Sequence, residues 1–367
     1  MFHMDFRIVY VVFVDIDKSG SYMAHVNGFI EGLLGHSIQP VVFGKGSNSI
    51  NAKFLRFTGL IPKFFAFPLL DLFSAFRIIW GRKTDIYILR PYRFTLLTYT
   101  AARICKVNLV QENNGILHDE LSRNGLKLQS VLYKFIERVT KDVPSVHVCV
   151  SSGILKYYES INVSGELFLS SNGISKHKIY ERKSPLAYED GLRLLFIGKL
   201  APWQGVVQFL DYILRHPNSS ITSITVIGNG AEEDLVRELL NNLPYETTFI
   251  GWSSWEDIQK HSENCNVGLI PRLDSSICGS PLKMFDYLAL GLPIISTEID
   301  GITDVLNNSN LYFRFSLEEE SSIEAIWPEL VSLKEEDLKN ELKNFLNKYE
   351  WRNISNDIVK KITQKIQ

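Results

Sequence analysis

The chain reads as short apolar runs alternating with longer stretches in which apolar residues recur every three or four positions. Runs rich in β-branched and aromatic residues at Arg7–Val14, Gln39–Phe43, Asp85–Leu89, Asn108–Gln111, Val146–Val150 and Leu167–Ser170 predict six strands. Helical spacing lies between them, as at Tyr22–Leu34 and Gln129–Val139. The polar stretch Lys183–Gly191 contains Pro185, follows neither period and predicts a linker. A second series then begins, with strands expected at Leu192–Ile197, Ser223–Ile227, Thr247–Ile250, Asn266–Ile270 and Pro293–Ser296. Helices are expected at Val206–Leu214, Ala231–Asn241, Trp255–His261 and Pro281–Leu290, and the charged tail after Ser316 also has helical spacing. Strands alternating with helices predict the α/β class, with a mostly parallel sheet in each of two domains, residues 1–183 and 184–351. Ligands bind such sheets outside the carboxyl ends of the strands, so the pattern predicts a cleft there, between the two domains.

Composition supports a folded chain of two domains: 367 residues, 45% apolar and 22% charged. The net charge of −2 argues against a general nucleic-acid binder. It conceals an asymmetry. Residues 1–183 carry 23 Lys/Arg and 14 Asp/Glu, a net of +9, and the remainder carries 16 and 27, a net of −11. Residues 40–110 alone hold 11 basic and 2 acidic residues. Four cysteines without a C-x-x-C pair predict neither a disulfide framework nor a zinc ribbon, and suit a reducing compartment. The run Ile8–Val14 ends in Asp15 and has no small-residue cleavage site after it, so a buried strand is expected rather than a secretory signal. The most apolar stretch, Phe64–Trp80, is interrupted by Pro68, Asp71, Ser74 and Arg77 and is short of the ~20 residues a span needs.

Three segments carry candidate chemistry. Gly198-Lys199-Leu200 follows a predicted strand, and Gly205 precedes a helix. A cation there is placed to hold a phosphate, although a surface lysine in a loop has the same pattern. Gly228-Asn229-Gly230 also joins a strand to a helix but lacks the third glycine of a dinucleotide fingerprint, so a plain tight turn fits it equally. The segment from Asp274 to Val305 is the most informative. The loop Cys278-Gly279-Ser280-Pro281 feeds a helix that ends at Gly291. Lys283 and Asp286, at i and i+3, share a face of that helix, where a cation and a carboxylate can hold a phosphate and sugar hydroxyls together or simply pair with each other. Two further patterns are weak. Asp15-Ile16-Asp17 has a D-x-D metal-binding form directly after the first strand, and Gly44-Lys45-Gly46-Ser47 lacks P-loop spacing.

The segment Ser280-Pro281-Leu282-Lys283-x-Phe285-Asp286-Tyr287 resembles the signature region of the retaining glycosyltransferases of family 4 (glycosyl transferases group 1), in the variant of members that build bacterial surface polysaccharides. Gly198-Lys199-Leu200 with Gly205, Gly228-x-Gly230, Phe249-x-Gly251 and Ile299-Asp300-Gly301 follow in the family's order. Ser171-Asn172-Gly173, Lys18-Ser19-Gly20 through His25, Gly35-His36 and the Tyr349-Glu350-Trp351 step resemble further pieces. The resemblance implies the GT-B fold of two facing Rossmann-like domains with a central cleft, and a last helix, 352–367, that packs back on the first domain. It places Asp286 on the ribose hydroxyls, in the position of the second glutamate of an E-x7-E pair whose first member is here Cys278. Lys199 stands for the phosphate-binding arginine and Gln204 for a common second phosphate lysine, a charge that Lys283 can restore from the other side. The backbone around Gly279, Ser280, Pro281 and Leu282 faces the phosphates and the donor sugar, Gly20 lies in the acceptor-side glycine loop, and Trp252 falls where the base lies. Asn114 occupies the place of a histidine beside the donor sugar, with His118 one turn on.

The implied reaction is metal-independent transfer of a sugar, with retention, from a nucleotide-sugar donor to a polysaccharide or lipid-linked acceptor. No further cofactor is expected. Preorganised donors such as Lys199 and Lys283 would each supply roughly 3–4 kcal/mol against the charge developing on the leaving diphosphate. Cations interleaved with aromatics in residues 53–83 predict contact with an anionic membrane surface, against the alternative of a core helix with a basic rim. The expected location is cytoplasmic, at the inner face of the membrane. Two rival readings are a nucleotide-sugar-binding protein without turnover, and an epimerase using His118 or Glu112.

Overall fold

The computed structural model describes residues 6–15, 21–45, 63–91, 95–123, 125–183, 186–273 and 281–366. The chain divides into two units. The first holds residues up to Gly173 together with Glu350–Gln367, and the second holds Ile174–Ser276 and Pro281–Tyr349.

The first unit is built on six parallel strands, β1 (Ile8–Asp15), β2 (Val41–Lys45), β3 (Ile86–Arg90), β4 (Asn108–Asn113), β5 (Val146–Cys149) and β6 (Glu166–Leu169), in the order β2-β1-β3-β4-β5-β6. Their apolar runs are continuous because both faces are covered by helices: α1 (Ser21–Gly35), α2 (Lys63–Ile79), α3 (Leu96–Cys105), α4 (Leu117–Arg123), α5 (Lys127–Thr140) and α6 (Ser152–Ser160). Val9, Val11, Phe13, Leu70, Tyr87, Leu89 and Leu109 form one buried cluster of the core. Asp85, fully buried where β3 begins, accepts from Arg7 (Nε 3.2 Å, Nη2 3.0 Å) and Arg77 (Nη2 2.8 Å), tying β1 and α2 to that strand. Burial alone would raise the Asp85 carboxyl, but the two guanidiniums outweigh it and hold it below the usual carboxylate range. Asp71 is also buried, and accepts from the Leu97 and Thr98 amides at 2.9 and 2.8 Å, capping α3 from a neighbouring helix.

The second unit holds β7 (Leu192–Ile197), β8 (Ile221–Ile227), β9 (Glu246–Ile250), β10 (Val267–Ile270), β11 (Ile294–Ser296) and β12 (Tyr312–Arg314), all parallel, in the order β12-β11-β10-β7-β8-β9. Its helices are α7 (Val206–Arg215), α8 (Glu233–Asn242), α9 (Trp255–Ser262), α10 (Leu282–Ala289), α11 (Asp300–Leu306), α12 (Glu320–Val331) and α13 (Glu335–Lys348). Along α7, Val206, Phe209, Leu210 and Ile213 are buried, the i, i+3, i+4, i+7 face. The predicted boundary at Lys183 differs from the division at Gly173. Residues 174–183 are fixed on the second unit: Tyr180 N donates to the Ala289 carbonyl at 2.8 Å, and Arg182 donates to the carbonyls of Ser262, Glu263 and Cys265.

The last helix, α14 (Trp351–Ile366), packs on α1 within the first unit. A Cβ on Gly28 would overlap the Trp351 indole, and one on Gly32 would lie 2.3 Å from the Trp351 carbonyl oxygen, so Gly28 and Gly32 set how closely α14 approaches α1.

Candidate functional site

In the second sheet the strand order reverses between β7 and β10, and their carboxyl ends open at one point. The chain leaves β7 through Gly198–Gln204 and leaves β10 through Pro271–Leu273, and Leu273 N donates to the Trp203 carbonyl at 3.3 Å across the two turns. A Cβ on Gly205, φ +71°, would lie 1.8 Å from the Pro271 oxygen.

Helix α10 is bolted to this point by Tyr287. Its buried hydroxyl accepts from Ile197 N at 2.8 Å and donates to the Leu269 carbonyl at 3.0 Å, and its ring fills the space left by Gly268. One turn earlier, Lys283 runs under Gly198, where a Cβ would sit 2.5 Å from its Cε. The Lys283 amine donates to Gln204 Oε1 at 2.7 Å and stands 3.9 Å from the centre of the Phe196 ring. Burial lowers its pKa, the nearby positive charge of Arg272 lowers it further, and Asp286 opposes both only in part; the result is about 7. Arg272 lies over the Trp203 ring at 5.2 Å, and its Nε is enclosed without a hydrogen-bond partner.

The amide predicted to replace a phosphate lysine and the lysine predicted to compensate for it are therefore bonded to each other. Lys199 is exposed in the turn beside them and makes no ion pair among the described residues. Arg272 escaped the sequence reading because Pro271-Arg272 registers only as the end of a strand; the strand order puts it at the point of reversal. Asp286 faces elsewhere than Lys283. Its Oδ1 is 2.6 Å from Lys178 Nζ, which also lies over the Trp255 ring at 4.7 Å. A sugar hydroxyl reaching Asp286 would share or displace that lysine.

Gly228 and Gly230 are explained by packing within the second unit. A Cβ on either would lie 1.9 Å from the Gly198 oxygen or 2.0 Å from the Leu200 oxygen, so two backbone turns touch there. Gly251 has open space about its Cα, and Trp252 beside it is 74% exposed. Glu232, which no motif flagged, follows Gly230 with one carboxyl oxygen enclosed and unpartnered, and burial raises its pKa. Pro281 offers no N–H to an anion; it precedes Leu282, the first residue of α10. Gly20, Cys278, Gly279 and Ser280 lie outside the described residues, as do residues 53–62 of the basic window.

The first sheet reverses between β1 and β3. Near that point the His25 ring bonds Asn172 through Nδ1 and Glu112 through Nε2, all three buried, and the Tyr10 hydroxyl donates to the second Glu112 oxygen at 2.7 Å. Burial would raise the Glu112 carboxyl, but the charge and hydrogen bond of His25, with Arg90 and Tyr10, bring it down to about 2. The Trp351 indole meets the His25 ring edge-on at 4.9 Å. Asn114, just past β4, has its Nδ2 enclosed without a partner, as has Arg90, at the end of β3, its Nη1. His118 is turned inward instead, 3.2 Å from Glu137 of α5 and against the Tyr157 ring. Of the two predicted sugar contacts, Asn114 keeps a vacant donor and His118 is engaged inside the unit.

Two parallel six-stranded α/β sheets in this order define the GT-B architecture of glycosyltransferases. Within it, residues 191–327 match the family model described as glycosyl transferases group 1. The chain is 24% identical over 130 residues to the amylovoran biosynthesis glycosyltransferase AmsK of Erwinia amylovora, a match spanning 34% of this chain and about a third (32%) of that protein. Among solved structures, sucrose-phosphate synthase from Thermosynechococcus elongatus superposes with a TM-score of 0.71 at 13% identity, covering 98% of each chain. The lipopolysaccharide outer core galactosyltransferase WaaB superposes with a TM-score of 0.68 at 16% identity, covering 97% of this chain and 99% of that one.

Proposed function

We propose that the protein is a retaining glycosyltransferase of family 4 that moves a sugar from a nucleotide-sugar onto a growing polysaccharide or lipid-linked oligosaccharide. The observation that carries this reading is the set Lys199, Lys283–Gln204 and Arg272 at the β7/β10 reversal, inside the segment that matches the family model. Sugar transfer breaks the bond between the anomeric carbon and a diphosphate oxygen, and negative charge grows on that oxygen. Three cationic side chains at one strand-end point can bind the diphosphate and neutralise that charge without a metal ion. The acceptor hydroxyl attacks on the face the diphosphate leaves, and the leaving phosphate takes its proton. Trp252 is the proposed platform for the base and Asp286 the proposed ribose contact. The surface-polysaccharide assignment draws on the names of AmsK and WaaB.

His118 and Glu112, the groups an epimerase would need, are both engaged within the first unit, which favours transfer. The proposed place of work is the cytoplasmic face of the membrane, where a lipid-linked acceptor presents its headgroup. Among the described residues, no helix is long and apolar enough to cross a bilayer. Of the predicted contact window 53–83, α2 buries Ala66, Leu70 and Ala75 and leaves Phe65 and Phe76 exposed, with Trp80 exposed just after it.

The test begins with thermal unfolding against a panel of UDP-, GDP- and dTDP-sugars, because a ligand that binds only the folded state raises Tm. With the stabilising donor, Lys199→Ala should lose ~100-fold in kcat, and the product anomer should keep the donor's configuration by NMR. No shift with any donor, near-normal turnover in Lys199→Ala, or an inverted product each overturns its part of the reading.

A further inference from the structure

Helix α5 is amphipathic with its faces exchanged. Leu128, Val131, Leu132, Phe135 and Val139 fall at helical spacing on one side and are 85%, 69%, 58%, 62% and 45% exposed. The opposite side buries Tyr133, Glu137 and Thr140. Glu137 accepts from the hydroxyls of Tyr157 and Tyr158 at 2.7 and 3.2 Å and stands 3.2 Å from His118 Nδ1. That network fixes the rotation of α5. Turning the apolar row inward would place Glu137 in water and strip the buried Tyr158 and the partly buried Tyr157 of their acceptor.

The row continues over neighbouring helices. α3 packs on both α2 and α5, and Phe76 and Trp80 stack at 5.0 Å on the α2 side. Thirteen of the eighteen exposed large apolar residues among the described ones lie on α2 with Trp80, α3 and α5, where solvent alone gives no reason for them to gather. Charge sorts the same way. The acids of these three helices, Asp71 and Glu137, are both buried and bonded inside, whereas Arg103, Lys127, Lys134 and Arg138 are exposed.

We propose that this face, with α5 at its centre, docks on an anionic lipid bilayer. Leu128, Leu132 and Phe135 enter the headgroup–acyl boundary, and Lys127, Lys134 and Arg138 meet lipid phosphates beside them. A second copy of the chain is a poorer occupant, because these helices expose no acid to answer the partner's cations. The proposal goes beyond the donor site and the 53–83 window, and stands whether or not a nucleotide-sugar binds.

The test is flotation of the full chain with vesicles of phosphatidylcholine alone or with about 30% phosphatidylglycerol, at about 50 mM and 500 mM salt. Flotation is expected with the anionic vesicles at low salt and should weaken at high salt. Each basic residue near such a surface is worth about fivefold in partitioning, so Lys134→Glu/Arg138→Glu should lose at least ~25-fold. Leu132→Gln/Phe135→Gln should lose at least ~10-fold. These side chains are exposed, so both variants should unfold at the wild-type temperature and keep any donor-induced Tm shift. No flotation of the wild type on anionic vesicles at low salt overturns the proposal, as does equal flotation of the Leu132→Gln/Phe135→Gln variant. A dimer seen by light scattering that this variant dissolves, without vesicle binding, assigns the face to a second copy instead.

Discussion

Raising the pH from 6.5 to 8.5 should progressively weaken nucleotide-sugar binding, because the Lys283 amine titrates at about 7 when the site is empty. A donor diphosphate placed against it would restore a pKa near that of a free lysine, so binding in this range takes up a proton. The protonated fraction of the empty site falls from about three-quarters to about 3% over these two units, which weakens apparent affinity by ~25-fold. A sugar diphosphate does not itself titrate there. Isothermal titration at about pH 8 in buffers of different ionisation enthalpy should report uptake of about 0.9 proton per donor bound. Lys283→Met should bind weakly at pH 6.5 and lose the pH dependence. Arg272→Gln should move the fall to higher pH, since Arg272 is a cause of the depression second only to burial. A flat wild-type profile, or the same slope in Lys283→Met, refutes the argument that Lys283 meets the diphosphate.

Other consequences can be measured without the acceptor. Asp85→Ala removes the buried acceptor shared by Arg77 and the half-exposed Arg7 and should cost roughly 2 kcal/mol in urea unfolding, whereas a loss under ~0.5 kcal/mol would deny the carboxylate its structural role. Glu112 has its folded pKa depressed to about 2, so its stabilisation is complete above the unfolded value near 4.5 and is lost as pH falls toward 2. Acid unfolding followed by circular dichroism should therefore lose part of its pH dependence across that window in Glu112→Gln. Gly228→Ala would set a Cβ against the Gly198 oxygen at φ +149° and should lower Tm sharply, whereas Gly251→Ala, in open space, should leave it unchanged. Trp252→Ala should cost donor binding ~1–3 kcal/mol if the base stacks on the indole, without a change in Tm of the free protein.

The strands were legible because β-branched runs bounded by turn residues leave few alternatives, and most ends fall within one or two residues of the expected positions. β12, three residues long, carries too little pattern, and α3, α4 and α11 are each ten residues or fewer. The two-domain division was legible, but its boundary was not. The polar stretch Lys183–Gly191 suggests a linker but belongs to the second unit, with Leu186 and Tyr188 buried, and the anchors of residues 174–183 are carbonyls some 80 to 108 positions away. The glycines show a different limit. Gly228 and Gly230 announce a close backbone approach in the sequence, and the structure supplies a neighbouring turn as the approaching group, so a ligand is not needed to explain them. Asp286 was identifiable as a carboxylate beside the site, but its partner Lys178 lies 108 residues away.

The α5 helix shows where periodicity fails to determine function. Its spacing marks an amphipathic helix, and the default reading turns the apolar stripe toward the sheet. The buried side is selected instead by Glu137, the common acceptor for two tyrosines from α6 and the partner of His118 from α4. Those groups lie 19 to 21 positions away and belong to no motif. With the polar side satisfied internally, the apolar row is left on the surface, and water penalises it there. Its cost to the isolated chain is balanced only if something apolar covers it, and the exposed arginine and lysines on the same helices select a negatively charged cover. Part of the +9 excess of the first 183 residues thus acquires a location: α3 and α5 expose four cations, Arg103, Lys127, Lys134 and Arg138, beside an apolar row and bury the one acid they carry, Glu137.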